Sequence, residues 1–321
     1  MPNFSESVTN HYTALLQTLC DISEAYLYEG KMDEAVNILN IGEQFAKAKE
    51  VAPRDVMKLL LQHGNVLIMN YFLTNSGFDA MLSMVLRAKK VAEDMPDEQG
   101  KADALQLLGE VYYYQSLNTE AREYERALEY FQQALNSRVA LGDERGTSES
   151  LFYIGLIYQN GDTPDNEKAF DYFTRSFHIA EKHDYKLEES YAARHIASIL
   201  GERKELEQAL TYALRSLSLR EEISFNRYLP PSHGLVGEIY FRQHDLERAM
   251  FHNQRAYELA QEMNLPSFIM WGSIAIGEIY LAQHDTAQAK EKYEQAYGIA
   301  QELNLPYALK ELREKLQQLL D

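Results

Sequence analysis

Cysteine is almost missing: Cys20 is the only one in 321 residues. That excludes an intramolecular disulfide framework and any zinc site built on several thiolates. Basic residues are also short, with 31 Lys and Arg against 49 Asp and Glu and a formal net charge of -18. Such a balance disfavours non-specific binding to nucleic acid or to an anionic membrane surface. Long apolar runs are absent. The longest, Val66 to Leu73, is broken by Asn70 and falls far short of the roughly 20 residues that cross a bilayer. Met1 to Asn10 is polar and carries neither the basic flank nor the apolar core of a secretory leader. A cytoplasmic protein without membrane insertion is the expectation. What remains, 45% hydrophobic and 25% charged residues, is the composition of a folded chain. The length allows one to three compact domains or one extended repeat array.

The repeat is found in the carboxy-terminal half. "GEIYFRQHDLERAMFHNQRAYELAQEMNLP" starts at Gly237 and "GEIYLAQHDTAQAKEKYEQAYGIAQELNLP" starts at Gly277, 40 residues later. Ala169, Ala209, Ala249 and Ala289 keep the same interval, as do Ser176, Ser216, Ala256 and Ala296. Upstream the interval loosens: Ala127, Phe131 and Ala134 precede Ala169, Phe173 and Ser176 by 42. Each unit reads as two helices. In the sixth, Val236, Ile239 and Tyr240 form one apolar stripe, and Leu246, Ala249, Met250, Ala256, Tyr257 and Ala260 form another. Seven units are expected, near 14–50, 55–97, 101–142, 147–184, 188–224, 230–264 and 266–304, with a capping helix at 306–320. They are expected to form one domain over 1–321. Prolines 53, 96, 230, 231, 266 and 306 lie between units, where the first turn of a helix tolerates them.

Small residues set the packing. Gly109, Gly155, Ala197, Gly237 and Gly277 occupy one position of the first helix, and the alanine series occupies the second. Two backbones can then approach closely, with a neighbouring aromatic filling the space beside them. Tyr26, Tyr112, Tyr158, Tyr240 and Tyr280 recur three residues after that position. A period of 40 is not a heptad, which argues against a coiled coil or simple bundle.

The pattern small–x–x–Tyr, then Gly/His-Asp, then Ala–x–x–x–Phe/Tyr–x–x–Ala resembles the tetratricopeptide repeat over about residues 14–303. Its longer units are similar to those of bacterial peptide-sensing receptors of the Rap type and of MalT-type regulators. The resemblance implies an all-α fold, an α-α superhelix of about seven hairpins plus the closing helix. It also implies a concave groove that binds an extended peptide or partner segment. Repeats begin by about residue 14, so the amino-terminal output module of those regulators is not expected. The carboxylate clamp of chaperone-binding repeat domains uses Lys and Asn one turn apart. Cys20 and Glu24 stand at those positions, against a chaperone-tail receptor.

Spacing places a groove stripe opposite the buried small residue: Gln17, Glu24, Tyr28, Asn65, Gln106, Glu110, Tyr113, Tyr114, Gln159, Asn160, Tyr191, Arg194, Glu238, Arg242, Trp271 and Glu278. Glu24, Glu110, Glu238 and Glu278 recur at one position, which would focus an acidic field on a basic ligand. Surface glutamate also serves solubility and helix propensity, so this reading competes with a bland one. The amides could pair with a ligand backbone, and the aromatics could supply contact area or ordinary packing. The lengthened turns between the third and fourth helix pairs' halves, "YYYQSLNTEAREYERA" and "NGDTPDNEKA", are either array-edge extensions or contact loops.

Catalytic patterns are lacking. No His-Glu-x-x-His, glycine-rich phosphate loop or nucleophile elbow occurs. His244 and His284 recur in the turn inside a unit, which points to turn chemistry rather than to a metal. The Cys20 thiol is expected to stay protonated. The expectation is a non-enzymatic adaptor or regulatory module without cofactor or metal, whose partner is a protein or peptide segment, a basic one if the recurrent acids serve recognition rather than solubility. A signalling-peptide sensor acting on a separate effector and a self-associating scaffold are the rival readings, so homo-oligomerisation stays open.

Overall fold

The computed structural model describes residues 4–74, 76–117 and 124–319, without the side chains of 4, 5 and 73. All regular elements among them are helical. In chain order they are α1 (Phe4–Glu29), α2 (Met32–Phe45), α3 (Pro53–Thr74), α4 (Phe78–Glu93), α5 (Glu98–Leu117), α6 (Glu125–Leu141), α7 (Glu144–Asn160) and α8 (Asn166–His183). Then follow α9 (Lys186–Glu202), α10 (Leu206–Glu222), α11 (Leu229–Arg242), α12 (Leu246–Glu262), α13 (Pro266–Ala282), α14 (Thr286–Glu302) and α15 (Pro306–Gln318), with a 3-10 turn at Asn226–Tyr228 before α11. The chain divides into two compact units, Met1–Ala192 and Ala193–Asp321.

In unit 1, α1 packs on α2, α3 on α4, α5 on α6 and α7 on α8. The first helices also touch one another, α1 on α3, α3 on α5 and α5 on α7. Unit 2 repeats the scheme with α11 on α12 and α13 on α14, α11 touching α13, and α15 closing against α14. Packing of each helix on its neighbours in the chain is the scheme of a helical-repeat array.

Sequence chemistry explains the hairpins. Where a second helix starts with aspartate, its carboxylate caps the third backbone N–H: Asp165 accepts from Lys168, Asp245 from Arg248 and Asp285 from Gln288. Before Asp245 and Asp285 the preceding residue closes the first helix in the left-handed region. His244 and His284 have φ of 62° and 64°, and Asp245 and Asp285 N–H donate back to the Tyr240 and Tyr280 carbonyls at 3.0 and 2.9 Å. That is the turn role of the recurrent histidines. Pro53, Pro266 and Pro306 each open a helix.

Small residues hold the pairs together. Ala127, Ala169, Ala209, Ala249 and Ala289 are all fully buried. A Cβ on Gly109 would lie 2.4 Å from the Phe131 ring, on Gly155 2.7 Å from Phe173 and on Gly277 2.7 Å from Tyr293. The ring over each glycine therefore comes from the second helix. The tyrosine three residues after the glycine does something else. Tyr112 stacks on Tyr130 and Tyr158 on Tyr172, while Tyr240 faces His252, and Arg126, Lys168 and Arg248 lie over the three tyrosine rings.

On α15, Leu312 and Ala308 are buried, and Leu309, Leu316 and Leu319 pack against the same cluster. The centre of the longer turn between α5 and α6, at 118–123, lies outside the described residues, as does the end of the expected cap at 320.

Candidate functional site

The first helices of unit 1 line a cavity of about 570 Å³. α1 contributes Gln17, Cys20, Asp21 and Glu24; α3 contributes Lys58, Gln62 and Asn65; α5 contributes Gln99, Asp103 and Gln106. Arg138 reaches it from the end of α6. Asp143, Arg145, Glu149 and Glu188 complete the wall. Its lining carries six carboxylates (Asp21, Glu24, Asp103, Asp143, Glu149, Glu188) and three cations (Lys58, Arg138, Arg145), three charges in favour of acid.

Arg138 organises the floor. It is 3% exposed. Its guanidinium donates to the Gly146 carbonyl at 2.9 Å, Ser150 Oγ at 2.9 Å, Gln106 Oε1 at 3.2 Å and Asp103 at 3.0 Å, and pairs with Glu149 at 3.0 Å. Behind it, buried Glu110 accepts from Gln106 Nε2 at 3.1 Å and Tyr153 OH at 2.9 Å. Burial, then the charge of Glu149, pushes the Glu110 carboxyl up to about 8 against those hydrogen bonds. Burial likewise raises Glu149 and Asp103, with Arg138 opposing. At the other end Arg145 donates to Glu188 at 2.7 Å. Burial, then Glu24, raises the Tyr28 phenol to about 12, and burial, then Asp21, raises the Cys20 thiol to about 11.

Three polar atoms on residues of this wall are buried without a hydrogen-bond partner: Gln62 Nε2, Glu188 Oε2 and Arg138 Nε, the last with only the Asp143 carboxylate near it at 3.8 Å. Two are donors and one is an acceptor. Buried polar groups are normally satisfied, so wall side chains that carry such atoms stand to gain a hydrogen bond by turning them toward a ligand in the cavity.

The cavity collects Gln17, Glu24, Asn65 and Gln106 from the expected stripe, with Tyr28 electrostatically coupled to Glu24, Arg145 and Glu188. Glu110 and Tyr113 are 3% exposed and lie behind the wall, because α5 is packed by α3, α4, α6 and α7. Tyr113 accepts from Asn160 Nδ2 at 2.9 Å and belongs to a ring cluster with Tyr114 (5.0 Å), Tyr124 and Tyr153. Tyr191 stacks on Phe152 at 5.4 Å. Gln159 is part-buried near the end of α7 and is not in the cavity lining. In unit 2, Arg194, Glu238, Trp271 and Glu278 line a different cavity. Arg242 donates to the Gly201 carbonyl at 3.0 Å and pairs with Glu238 at 2.5 Å.

Stripe reasoning missed Arg138, Glu149, Arg145 and Glu188. A signal for Arg138 was present. Ala180, Ala260 and Ala300 occupy its repeat position, whereas Arg138 and Arg220 recur there, each 12 residues before a serine. The structure shows why: Arg220 donates to Ser232 Oγ at 2.7 Å as Arg138 does to Ser150.

A family model described as Sel1 repeat matches residues 102–137 and 148–177, parts of the third and fourth hairpins. No curated protein matches the chain by sequence. Among solved structures, a Rap protein complexed with competence and sporulation factor aligns at 16% identity, over 93% of this chain and 80% of that one, with TM-score 0.66. Aspartyl phosphate phosphatase F from Bacillus subtilis aligns at 15% identity, over 94% and 78%, with TM-score 0.54. The apo quorum sensor NprR from B. thuringiensis aligns at 13% identity, over 97% and 88%, with TM-score 0.57. These likenesses show the fold: a tetratricopeptide-type helical-repeat protein resembling the repeat domains of Rap-type regulators.

Proposed function

We propose that the chain is a non-enzymatic adaptor or regulatory protein, and that the unit 1 cavity binds a basic peptide or partner segment. The observation that carries this reading is the set of orphaned polar atoms on a net acidic wall, Glu188 Oε2 above all. An incoming ammonium or guanidinium would satisfy that oxygen once the Glu188 side chain turns to the cavity, and a ligand carbonyl would accept from a likewise rotated Gln62 Nε2. The carboxylates around them are already engaged by Arg138, Arg145, Gln106 and Tyr153, which suits recognition rather than bond-making. Fluorescence anisotropy with labelled Lys/Arg-rich peptides tests it. Glu188→Gln should weaken binding by about 10-fold or more, as expected for a lost charge-assisted contact. Undiminished affinity in a folded Glu188→Gln protein overturns the assignment.

A peptide-sensor reading, in which binding alters dimensions and passes the change to a separate effector, is favoured by the division into two compact units and by the quorum-sensor and factor-bound neighbours. Small-angle scattering with and without a bound peptide decides between switch and static adaptor.

A further inference from the structure

The unit 2 cavity has no part in that reading, and its chemistry is different. It measures about 520 Å³ and is formed by α9, α11 and α13 with residues of α12 and α15. Leu235, Phe241, Phe268, Trp271 and Ile274 make much of its lining apolar.

One charged group in it stands without a mate. Arg194 is part-buried on the wall, and no hydrogen bond or ion pair with a described residue engages it. Tyr228 and Glu238 act on it only through space, and burial lowers its pKa from the ordinary arginine value. The acids of the same cavity have nearer partners. Glu238 pairs with Arg242 at 2.5 Å, and Lys315 bridges Glu278 at 2.8 Å and Glu311 at 3.6 Å. A guanidinium in apolar surroundings without an acceptor is unfavourable, and its planar fork matches a carboxylate.

A second feature is Gly234, inside α11. Its φ is not positive, and a Cβ there would meet nothing within 4 Å. Neither backbone conformation nor packing against the chain accounts for glycine, which is among the residues least favoured inside a helix. The free space belongs to the cavity. A third is Trp271, 48% exposed on the wall although large and aromatic.

We propose that this cavity is a second ligand site, for a small organic carboxylate: the acid group sits on the Arg194 guanidinium, and an aromatic or branched aliphatic body lies against Trp271 and Phe268 in the space that Gly234 leaves open. The volume falls within the roughly 300–1,000 Å³ of sites for small molecules, which likewise combine apolar walls with a few placed polar groups. No residue is shared with the unit 1 cavity, so either site stands without the other.

Trp271 is the only tryptophan in the chain, so its fluorescence reports this cavity alone. The full chain is titrated with 4-phenylbutyrate, hexanoate and isovalerate, and with the matched uncharged 4-phenylbutanamide. At least one carboxylate should give a saturable emission change. For phenylbutyrate the affinity should exceed that of the amide by about 10- to 100-fold, the usual worth of a charge-assisted pair. Arg194→Gln should bring acid and amide together, and Gly234→Leu should block both while melting no lower than the parent. Equal binding of acid and amide, an acid preference that survives Arg194→Gln, or no saturable change with any of the acids overturns the proposal. The acid-against-amide comparison on the parent decides even if a variant fails to fold. Peptide anisotropy, read at unit 1, is unaffected by any of these results.

Discussion

Gly277 and Gly298 belong to the same hairpin, and the same substitution in each should move stability in different directions. Both sit inside helices, α13 and α14, so alanine gains the same intrinsic helix preference at either place, about 1 kcal/mol. Their surroundings differ. A Cβ on Gly298 meets nothing within 4 Å, whereas on Gly277 it would stand 2.7 Å from Tyr293 Cε1 and 2.9 Å from Cδ1. Tyr293 is 1% exposed and packs in the terminal core with Met270, Ala296 and Leu312, so its ring has little room to retreat. Overpacking of that kind costs about 1–3 kcal/mol. The propensity gain cancels in the difference between the variants, leaving the packing penalty. Gly298→Ala should therefore stabilise by about 0.5–1 kcal/mol, and Gly277→Ala should fall below Gly298→Ala by about 1–3 kcal/mol. Urea unfolding followed by far-UV circular dichroism measures both, with midpoints compared at equal slope. Coincident curves for the two variants would refute the idea that glycine sets the helix spacing by admitting the Tyr293 ring.

Other consequences follow from the unit 1 floor and the turns. Arg138→Ala strands Asp103, Glu149 and Asp143 and should cost about 3–5 kcal/mol near neutrality, with a smaller deficit at low pH where those acids protonate. Chemical denaturation at several pH values measures it. The Glu110 carboxyl, raised from 4.5 to about 8 in the fold, binds its proton more tightly folded than unfolded. Its contribution is thus present below 4.5 and lost as pH rises towards 8. Melting of Glu110→Gln should accordingly fall less steeply than the parent between those limits and lie above it at the alkaline end. His284→Gly relieves a side chain held at φ 64° and should raise the stability by about 1 kcal/mol, read as a higher denaturation midpoint at equal slope; an unchanged midpoint would remove the strain argument. Asp245→Ala leaves the Arg248 N–H uncapped and should cost about 1 kcal/mol by the same measurement.

Much of this architecture was legible because its cause is local and recurs. Small residues at a 40-residue interval, prolines opening first helices and aspartates capping second ones are statements about neighbours in sequence, and the helices form where those signals stand. The candidate sites were only partly legible. Stripe counting found Gln17, Glu24, Asn65 and Gln106 on the unit 1 wall, since helical periodicity orients side chains on one helix. It could not see that α5 is enclosed by four other helices, which withdraws Glu110 and Tyr113 from the wall. Nor could it see a second-helix side chain such as Arg138 crossing to the floor, because a single helix pattern carries no information about reach across a neighbour.

By itself, then, the sequence determined the helix class, the hairpin period, the turn chemistry and the acidic balance, all of which follow from residue type and short-range spacing. Tertiary packing decided which carboxylates share a wall, which polar atoms are buried without a partner and where Arg194 stands unmatched. Those properties depend on desolvation and on distances between residues remote in the chain, and they come into being only when the helices close on one another.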